Sequence, residues 1–240
     1  MADNGVPVST DFLNPEEQYR VGQYLHGRAE ENIAFWGGWE EAERRKLFFF
    51  PEWFSEQNRR DFMRQDTALI RITGSGYEEL NHRAFLGAVL ALGLKRECIG
   101  DIVMEDSRHA VLFCDPVLLD FFAQEPCPLQ SVGRDRVQVE CPAHLERPLP
   151  PRRYADIYDT VASPRLDCVA AALIRLSRDK TQTLIRNGDV FLNYRAAMHC
   201  DEAVKAEDVI SIRRFGKFRI DCLAPKPKGG RLRLLARKYM

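Results

Sequence analysis

The residues best suited to chemistry lie in the last third of the chain and carry positive charge. Arg178, Gln182 and Arg186 recur at i, i+4 and i+8, so a helix would place them along a single line. Guanidinium groups neutralise phosphates, and amide groups donate hydrogen bonds to phosphate oxygens. The spacing therefore predicts a basic ridge that binds a polyanion, and nucleic acid is the usual polyanion.

A pair of helices is expected to position this ridge. The first begins at Pro164 and commits one face to a core through Leu166, Val169, Ala170, Leu173 and Leu176. Ser177 is suited to cap the second helix, which runs from Arg178 to Arg186. Its apolar face comprises Thr181, Leu184 and Ile185. Asn187-Gly188 ends this helix, because glycine accepts the left-handed conformation that a helix end requires.

Strands of a small sheet follow the helix pair. Val190–Asn193, Val209–Ile212 and Phe218–Ile220 each show the apolar pattern of a short strand. The turn at Phe215-Gly216 is surrounded by three cations, which are Arg213, Arg214 and Lys217. We expect these cations to contribute to nucleic-acid binding together with the ridge.

This region resembles the S4-like RNA-binding domain. The resemblance is carried by Arg165-Leu166-Asp167, Ser177-Arg178, Lys180-Thr181-Gln182, Leu184-Ile185-Arg186, Asn187-Gly188-Asp189-Val190, Asn193 and Asp208-Val209-Ile210-Ser211. It implies a helix pair and a small sheet over residues 153–224, with structured RNA bound across the helices. The implied RNA contacts are Arg165, Ser177, Arg178, Lys180, Thr181, Arg186, Asn187, Gly188 and Asn193. Two roles within the protein stay open: Asp167 pairs with Arg165 or caps the first helix, and Asn193 shapes a turn.

The charge of the chain is distributed unevenly. Its 35 basic and 35 acidic residues cancel, but from Pro151 onward there are 19 Lys and Arg against 10 Asp and Glu. The second part therefore carries +9 and the first part −9. Such an asymmetry is typical of a polyanion-binding module joined to an acidic body. The alternative is a solvated basic tail without a partner.

The middle of the chain, residues 65–147, shows the element order β-α-β-β-α-β. This order is typical of ferredoxin-like domains and of the RNA-recognition motif (RRM). An RRM carries exposed aromatic residues on a central strand, whereas Ala110–Phe113 offers only Phe113. We therefore expect the fold without the platform that stacks bases. His82, Arg83, Lys95 and Arg96 flank one helix of this segment and either form a second RNA contact or are solvated helix ends.

The predicted architecture is α+β with several domains. Residues 1–64 are expected to form an N-terminal helical segment, with a helix that Asn14 caps and that continues toward Gly37-Gly38. Leu47–Phe50 is interpreted as a buried strand or a packing plug. The prolines of Pro148-Leu149-Pro150-Pro151 form a stiff linker before residues 153–224. Residues 225–240 form a basic C-terminal tail, for which a last strand and a flexible arm both stay open.

Composition excludes several classes of protein. No apolar stretch approaches the roughly 20 residues that a membrane span needs, and the first residues lack the pattern of a secretion signal. The seven cysteines are scattered without a C-x-x-C pair, which predicts neither a zinc site nor a disulfide framework. We expect a cytoplasmic monomer without a metal or other cofactor.

The whole chain is similar to the YlmH-type family of S4-like proteins from bacteria and plastids. The carrying blocks are Phe35–Arg44, His82–Arg96, Ile99–Ile102 and Asp159–Ser163, and the chain departs from the family pattern at Pro164. The resemblance implies a factor that binds ribosomal RNA (rRNA), or transfer RNA (tRNA), on the large ribosomal subunit. It also implies a role in the rescue of stalled nascent chains, and an older association with cell division.

An enzyme is the main alternative, because S4-like modules are often joined to catalytic domains. The chain lacks the His-Ile-Gly-His and Lys-Met-Ser-Lys-Ser signatures of tyrosyl-tRNA synthetases. Gly74-Ser75-Gly76 is too short to be the cofactor loop of an RNA methyltransferase. Residues 65–140 are too few for the catalytic body of a pseudouridine synthase. We expect a noncatalytic binder; a small RNA-modifying enzyme and an adaptor that binds mainly protein remain competing hypotheses.

Overall fold

The computed structural model describes residues 5–25, 30–145, 147–225 and 230–240. The chain divides into two compact units, Met1–Pro151 and Arg152–Met240. The first unit therefore contains both residues 1–64 and residues 65–147. Across the described ranges, no helix has the length and apolar character needed to cross a membrane.

The start of the first unit contains a small antiparallel sheet, so the prediction of a helical segment over residues 1–64 is wrong in part. The strands are β1 (Val8–Ser9), β2 (Ile33–Trp36) and β3 (Lys46–Phe49), in the order β1-β3-β2. The helices are α1 (Pro15–Leu25) and α2 (Glu56–Gln65). Helix α1 ends well before Gly37, because the run Ile33–Trp36 is rich in strand-forming residues and pairs with the phenylalanines of β3. The expected helix also covered residues 26–29, which lie outside the described residues.

Helix α1 begins where the sequence indicates. The Asn14 side-chain oxygen accepts a hydrogen bond from the Glu17 N–H at 3.0 Å, and the Glu17 carboxylate accepts one from the Asn14 N–H at 2.6 Å. This reciprocal pair is a capping box, which satisfies backbone donors that the first helical turn leaves unpaired.

A second sheet of five antiparallel strands follows in the order β5-β6-β4-β8-β7. Its elements, in chain order, are β4 (Ala68–Gly74), α3 (His82–Ala91), β5 (Ile99–Met104), β6 (His109–Cys114), α4 (Leu119–Phe122), β7 (Ser131–Val132) and β8 (Asp135–Glu140). The side chains alternate between two faces. One face packs on both helices through residues such as Ile70, Leu112, Phe85 and Phe122. The opposite face carries Leu69, Val103, Val111 and Phe113.

The small sheet and the five-stranded sheet are joined by buried polar contacts. The Asp101 carboxylate on β5 accepts hydrogen bonds from the backbone N–H groups of Glu43 and Arg44, at 2.7 and 3.0 Å. Lys46 on β3 is almost fully buried and pairs with Asp66 and Asp115 at 3.0 and 2.7 Å. Two carboxylates around one buried ammonium group compensate for its loss of hydration.

The second unit is a six-stranded antiparallel sheet covered by two helices. Its elements are β9 (Tyr154–Val161), α5 (Leu166–Ile174), α6 (Arg178–Arg186), β10 (Val190–Leu192), β11 (Arg195–Ala196), β12 (Val209–Ile212), β13 (Gly216–Pro225) and β14 (Leu232–Tyr239). The strand order is β11-β10-β12-β13-β14-β9. Buried residues of α5, including Leu166, Val169 and Leu173, share one core with Ile210, Phe218 and Leu234 of the sheet.

The end of the chain is a strand, which is one of the two alternatives for the basic tail over residues 225–240. Strand β14 pairs with β13 on one side and with β9 on the other. Leu234 and Ala236 are buried, while Arg233 before them is exposed and Arg237 after them is half-buried. This alternation explains the strand, because Leu232, Leu234 and Ala236 contribute to the core, whereas Arg233 and Arg237 lie on the other face of the strand. Residues 226–229 lie outside the described part of the chain.

Gly38 lies where the Trp36–Trp39 segment approaches the five-stranded sheet. It has a φ of +94°, and a methyl group at this position would overlap the Phe113 ring. Gly38→Ala should lower the free energy of unfolding by about 3 kcal/mol, since both backbone conformation and overlap oppose a side chain.

Gly87→Ala is the matched control for this substitution. Gly87 lies inside α3, where a methyl group would meet nothing within 4 Å. We expect it to raise stability by about 0.5–1 kcal/mol, because alanine is the better helix former. Urea unfolding measures both effects. A Gly38→Ala variant as stable as the unchanged protein would contradict the close approach to Phe113.

Candidate nucleic-acid interface

The candidate interface is built on the hairpin of α5 and α6. Helix α5 ends at Arg175, whose backbone is left-handed with a φ of 53°. Ser177 caps α6, and its hydroxyl accepts a hydrogen bond from the Lys180 N–H at 3.4 Å. The tight connection places the end of α5 next to the start of α6.

Asp167 is the polar centre of this hairpin. Its side chain is 0% exposed, and its carboxylate pairs with Arg165 at 3.2 Å and with Arg178 at 2.9 Å. The Gln182 amide donates a third interaction at 2.8 Å. Burial alone would raise the pKa of this carboxyl, but the hydrogen bonds from Arg165, Gln182 and Arg178 outweigh it and hold the pKa well below its usual range. Asp167 therefore stays charged and gathers three polar side chains.

The arginines around Asp167 stay accessible from solvent. The Arg178 side chain is 50% exposed and that of Arg165 is 40% exposed. Lys180 and Arg186 are exposed along the same helix. The line Arg178, Gln182 and Arg186 thus lies on α6 with its first two members fixed by Asp167, and its last member projects into solvent.

The C-terminal end of α6 adjoins the turn between β12 and β13. Asn187 is exposed, and Gly188 has a φ of +73° with no atom within 4 Å of an added methyl group. The next residue, Asp189, accepts a hydrogen bond from the Arg213 backbone at 2.9 Å and pairs with its guanidinium at 3.4 Å. The Arg213 side chain is 65% exposed, so this turn adds a cation beside an open backbone position.

The other two cations of this turn differ in their exposure. Arg214 is exposed and has a φ of 70°. The Lys217 ammonium lies over the Tyr194 and Tyr239 rings, at 4.9 and 4.7 Å from their centroids. Lys217 is therefore half-buried and partly held by cation–π interactions, whereas Arg214 projects freely from the turn.

Two of the expected RNA contacts have roles inside the protein. Thr181 is fully buried, and its hydroxyl donates to the Ser177 carbonyl at 3.1 Å, so a ligand cannot reach it. The Asn193 amide donates to Asp208 at 2.8 Å, and its oxygen accepts from the Val209 N–H at 2.9 Å. Asn193 thereby holds the turn after β10, which is the alternative that its residue type left open.

The role of Asp167 is wider than the sequence indicates. The ion pair of Asp167 with Arg165, two residues earlier in the chain, is expected from the sequence. The contacts with Arg178 and Gln182 are not, because these residues belong to the next helix. Sequence spacing within α6 predicts which residues share an edge, yet it does not show which residue of α5 faces that edge. The feature of the sequence that indicates such a role is an aspartate at the start of a helix whose other residues are apolar.

Replacement of the buried Asp167 carboxylate tests whether it holds Arg165, Arg178 and Gln182 in place. We expect Asp167→Asn to lower the free energy of unfolding by about 2 kcal/mol at neutral pH, because an amide does not compensate two guanidinium groups. Folding lowers the pKa of Asp167, so the carboxylate stabilises the fold above the ordinary aspartate pKa of about 4. That contribution is lost progressively at lower pH.

The difference between the two proteins should thus be constant near neutral pH and shrink below about pH 4, as measured by urea unfolding. Asp179→Asn is the control, because Asp179 is exposed in the same helix and should change stability by less than about 1 kcal/mol. A difference that persists unchanged to about pH 3 would contradict the lowered pKa.

Known proteins resemble this chain over much of its length. A family model described as "Putative RNA-binding domain in YlmH" matches residues 59–145. The ribosome-associated protein quality control protein P2 of Bacillus subtilis is 33% identical over 225 residues, which are 94% of this chain and 84% of that relative. A solved structure, the cell division protein ylmH from Streptococcus pneumoniae, is 26% identical, covers 58% of this chain and 81% of its own, and has a TM-score of 0.43. Because the similarity to the Bacillus protein extends over nearly the whole chain, this protein belongs to the YlmH family.

Proposed function

We propose that this protein is a noncatalytic RNA-binding factor that binds structured rRNA, or tRNA, on the large ribosomal subunit. The observation that carries the proposal is the edge of α6, where the buried Asp167 carboxylate holds the half-exposed Arg178 in line with the exposed Arg186, and also holds Arg165 at the start of α5. We propose that the factor acts in the rescue of stalled nascent chains, as a monomer in the cytoplasm. The name of the Bacillus relative, a ribosome-associated quality control protein, supports the ribosomal setting.

The geometry of the arginines suits phosphate binding. Each guanidinium has five N–H donors, so an arginine that bonds Asp167 keeps donors for a ligand. The site is positive despite its carboxylates, since it has seven cations and four acids. The cations are Arg165, Arg178, Lys180, Arg186, Arg213, Arg214 and Lys217, and the acids are Asp167, Asp179, Asp189 and Asp201. Because Asp167 already holds Arg165 and Arg178 in place, these side chains lose less conformational entropy when RNA binds.

The domain assignments are part of the proposal. We assign residues 153–224 to an S4-like RNA-binding domain. The pairing of α5 with α6 beside the sheet of the second unit supports this assignment. We assign residues 65–147 to a ferredoxin-like or RRM-like domain, supported by its β-α-β-β-α-β order. The description of the family model attaches RNA binding to residues 59–145, which supports a second RNA contact there.

Removal of the ridge arginines tests the proposal. Arg186 is exposed and, within the described ranges, forms no ion pair, so Arg186→Ala should reduce RNA affinity without loss of stability. The double variant with Arg178→Ala should reduce affinity further and flatten the dependence of affinity on salt. Each lost phosphate contact should lower that slope by about one unit. Titration of large-subunit rRNA at several salt concentrations measures both quantities.

Arg20→Ala is the control, because Arg20 is an exposed arginine on α1, outside the proposed site. Binding that keeps its full salt dependence in the double variant would contradict the proposal. Nucleosides with altered mass, after incubation of the protein with rRNA and a methyl donor, would show an enzyme in place of a noncatalytic binder.

A further inference from the structure

The first unit contains a cavity of about 620 Å³. Leu69 and Phe113 line it, and both belong to the face of the five-stranded sheet that is opposite to α3 and α4. The remaining walls come from the Trp36–Glu41 segment, from the end of α2, and from Ala143, His144, Leu145, Pro148, Leu149 and Pro151. Volumes of this size are typical of sites that hold small molecules.

Two tryptophans and one phenylalanine line the cavity. Trp36 and Trp39 flank Gly37-Gly38, and the Phe113 ring lies directly against Gly38. A side chain at Gly37 would overlap the Arg44 carbonyl and Ala42, so Gly37 allows the turn to pack on the segment that follows it, while Gly38 allows it to lie close to the sheet. The turn thereby adds two indole rings to the one aromatic residue that β6 provides.

Two buried polar atoms of the wall have no hydrogen-bond partner among the described residues. They are the Thr67 hydroxyl, on a residue that is 9% exposed, and the indole Nε1 of Trp36. Buried polar groups in native proteins are almost always hydrogen-bonded, because an unpaired one costs free energy. An aromatic cavity with an unpaired N–H donor and an unpaired hydroxyl is suited to a flat ligand that offers hydrogen-bond acceptors.

Charged and polar groups of the wall narrow the choice of ligand. Arg64 and His144 line the cavity together with the exposed Glu40. A lysine or arginine side chain of a partner protein offers only donors, so it would leave the Trp36 N–H unpaired and would also meet Arg64. A nucleoside combines an aromatic base that carries acceptors with ribose hydroxyls that donate to carboxylates. Stacking on aromatic side chains is the usual way in which proteins hold unpaired bases.

We propose that this cavity binds one unpaired nucleoside of an RNA strand, with its base against the Trp39 indole ring and the edge of the base hydrogen-bonded to Thr67 and Trp36. This inference rests on the proposed RNA-binding function and adds a specific subsite to it. The first part of the chain carries a net charge of −9, so contacts to a base suit it better than contacts to phosphates.

Two conservative substitutions in the full-length protein test this subsite. Thr67→Val keeps the shape of the side chain and removes the hydroxyl, while Trp36→Phe keeps an aromatic ring and removes the N–H. Each should weaken binding of a short single-stranded RNA by about fivefold, the worth of one hydrogen bond. Binding of a blunt RNA duplex should be unchanged, and so should the salt dependence, because no phosphate contact is removed.

The stability of the Thr67→Val variant separates binding from a merely structural role. Removal of an unpaired buried hydroxyl should leave the unfolding temperature equal or higher, while the affinity for single-stranded RNA falls. Trp53→Phe is the control for the tryptophan substitution, because Trp53 is exposed and lies outside the cavity wall. Fluorescence anisotropy of the labelled RNA measures all these affinities.

Unchanged affinity for single-stranded RNA in both folded variants would overturn the subsite, and so would an equal loss for the duplex. The Arg178 and Arg186 variants in the same assay test the proposed function separately. If they lose affinity while the cavity variants do not, the RNA-binding function stands and the nucleoside site fails. If the unchanged chain binds neither RNA, the function fails, and saturable quenching of tryptophan fluorescence by adenosine, absent in Thr67→Val, would still support the nucleoside site.

Discussion

A charged carboxylate inside the second unit determines how that unit presents its basic residues. Asp167 is completely buried and must be compensated, because an isolated charge in the interior is strongly unfavourable. The compensation comes from Arg165 at the start of α5 and from Arg178 and Gln182 on α6. The same contacts therefore position the two helices and order the donors at their surface. Side chains that would otherwise sample many rotamers are held near one geometry before a ligand arrives.

The two units differ in the chemistry that they offer to RNA. The second unit carries the positive charge and has an open backbone position at Gly188, which suits phosphates that approach closely. The first unit is acidic and offers aromatic rings and unpaired polar atoms around a cavity. Charge attracts any polyanion, whereas a lined cavity distinguishes an unpaired base from a paired one. A factor with both features would combine affinity with selectivity for RNA that has exposed bases.

The sequence predicts those features that depend on local spacing. The line Arg178, Gln182 and Arg186 follows from the period of a helix, and the caps Asn14 and Ser177 follow from residue type and position. Features that depend on distant partners were wrong or missing. The sequence pattern extends the first helix through Ile33–Trp36, but pairing with β3 makes this run a strand. Strand β9 was missed, because its pattern is irregular and its partner β14 lies more than seventy residues later.

The cavity of the first unit also depends on residues that are far apart in the sequence. The sequence shows a single aromatic residue on the central strand of an RRM-like sheet, which predicts that the stacking platform is absent. The structure supplies two tryptophans at that face from a segment about seventy residues earlier in the chain. Alternation along a strand shows which of its residues share a face, but it does not show which distant segment covers that face.

We propose that RNA contacts the α6 edge which Asp167 organises. Ultraviolet crosslinking of the protein to ribosomes, followed by mass spectrometry of the crosslinked peptides, tests it most directly. We expect crosslinks to rRNA or tRNA within residues 175–189 and 211–217. Crosslinks confined to the first unit, with none in these two segments, would contradict it.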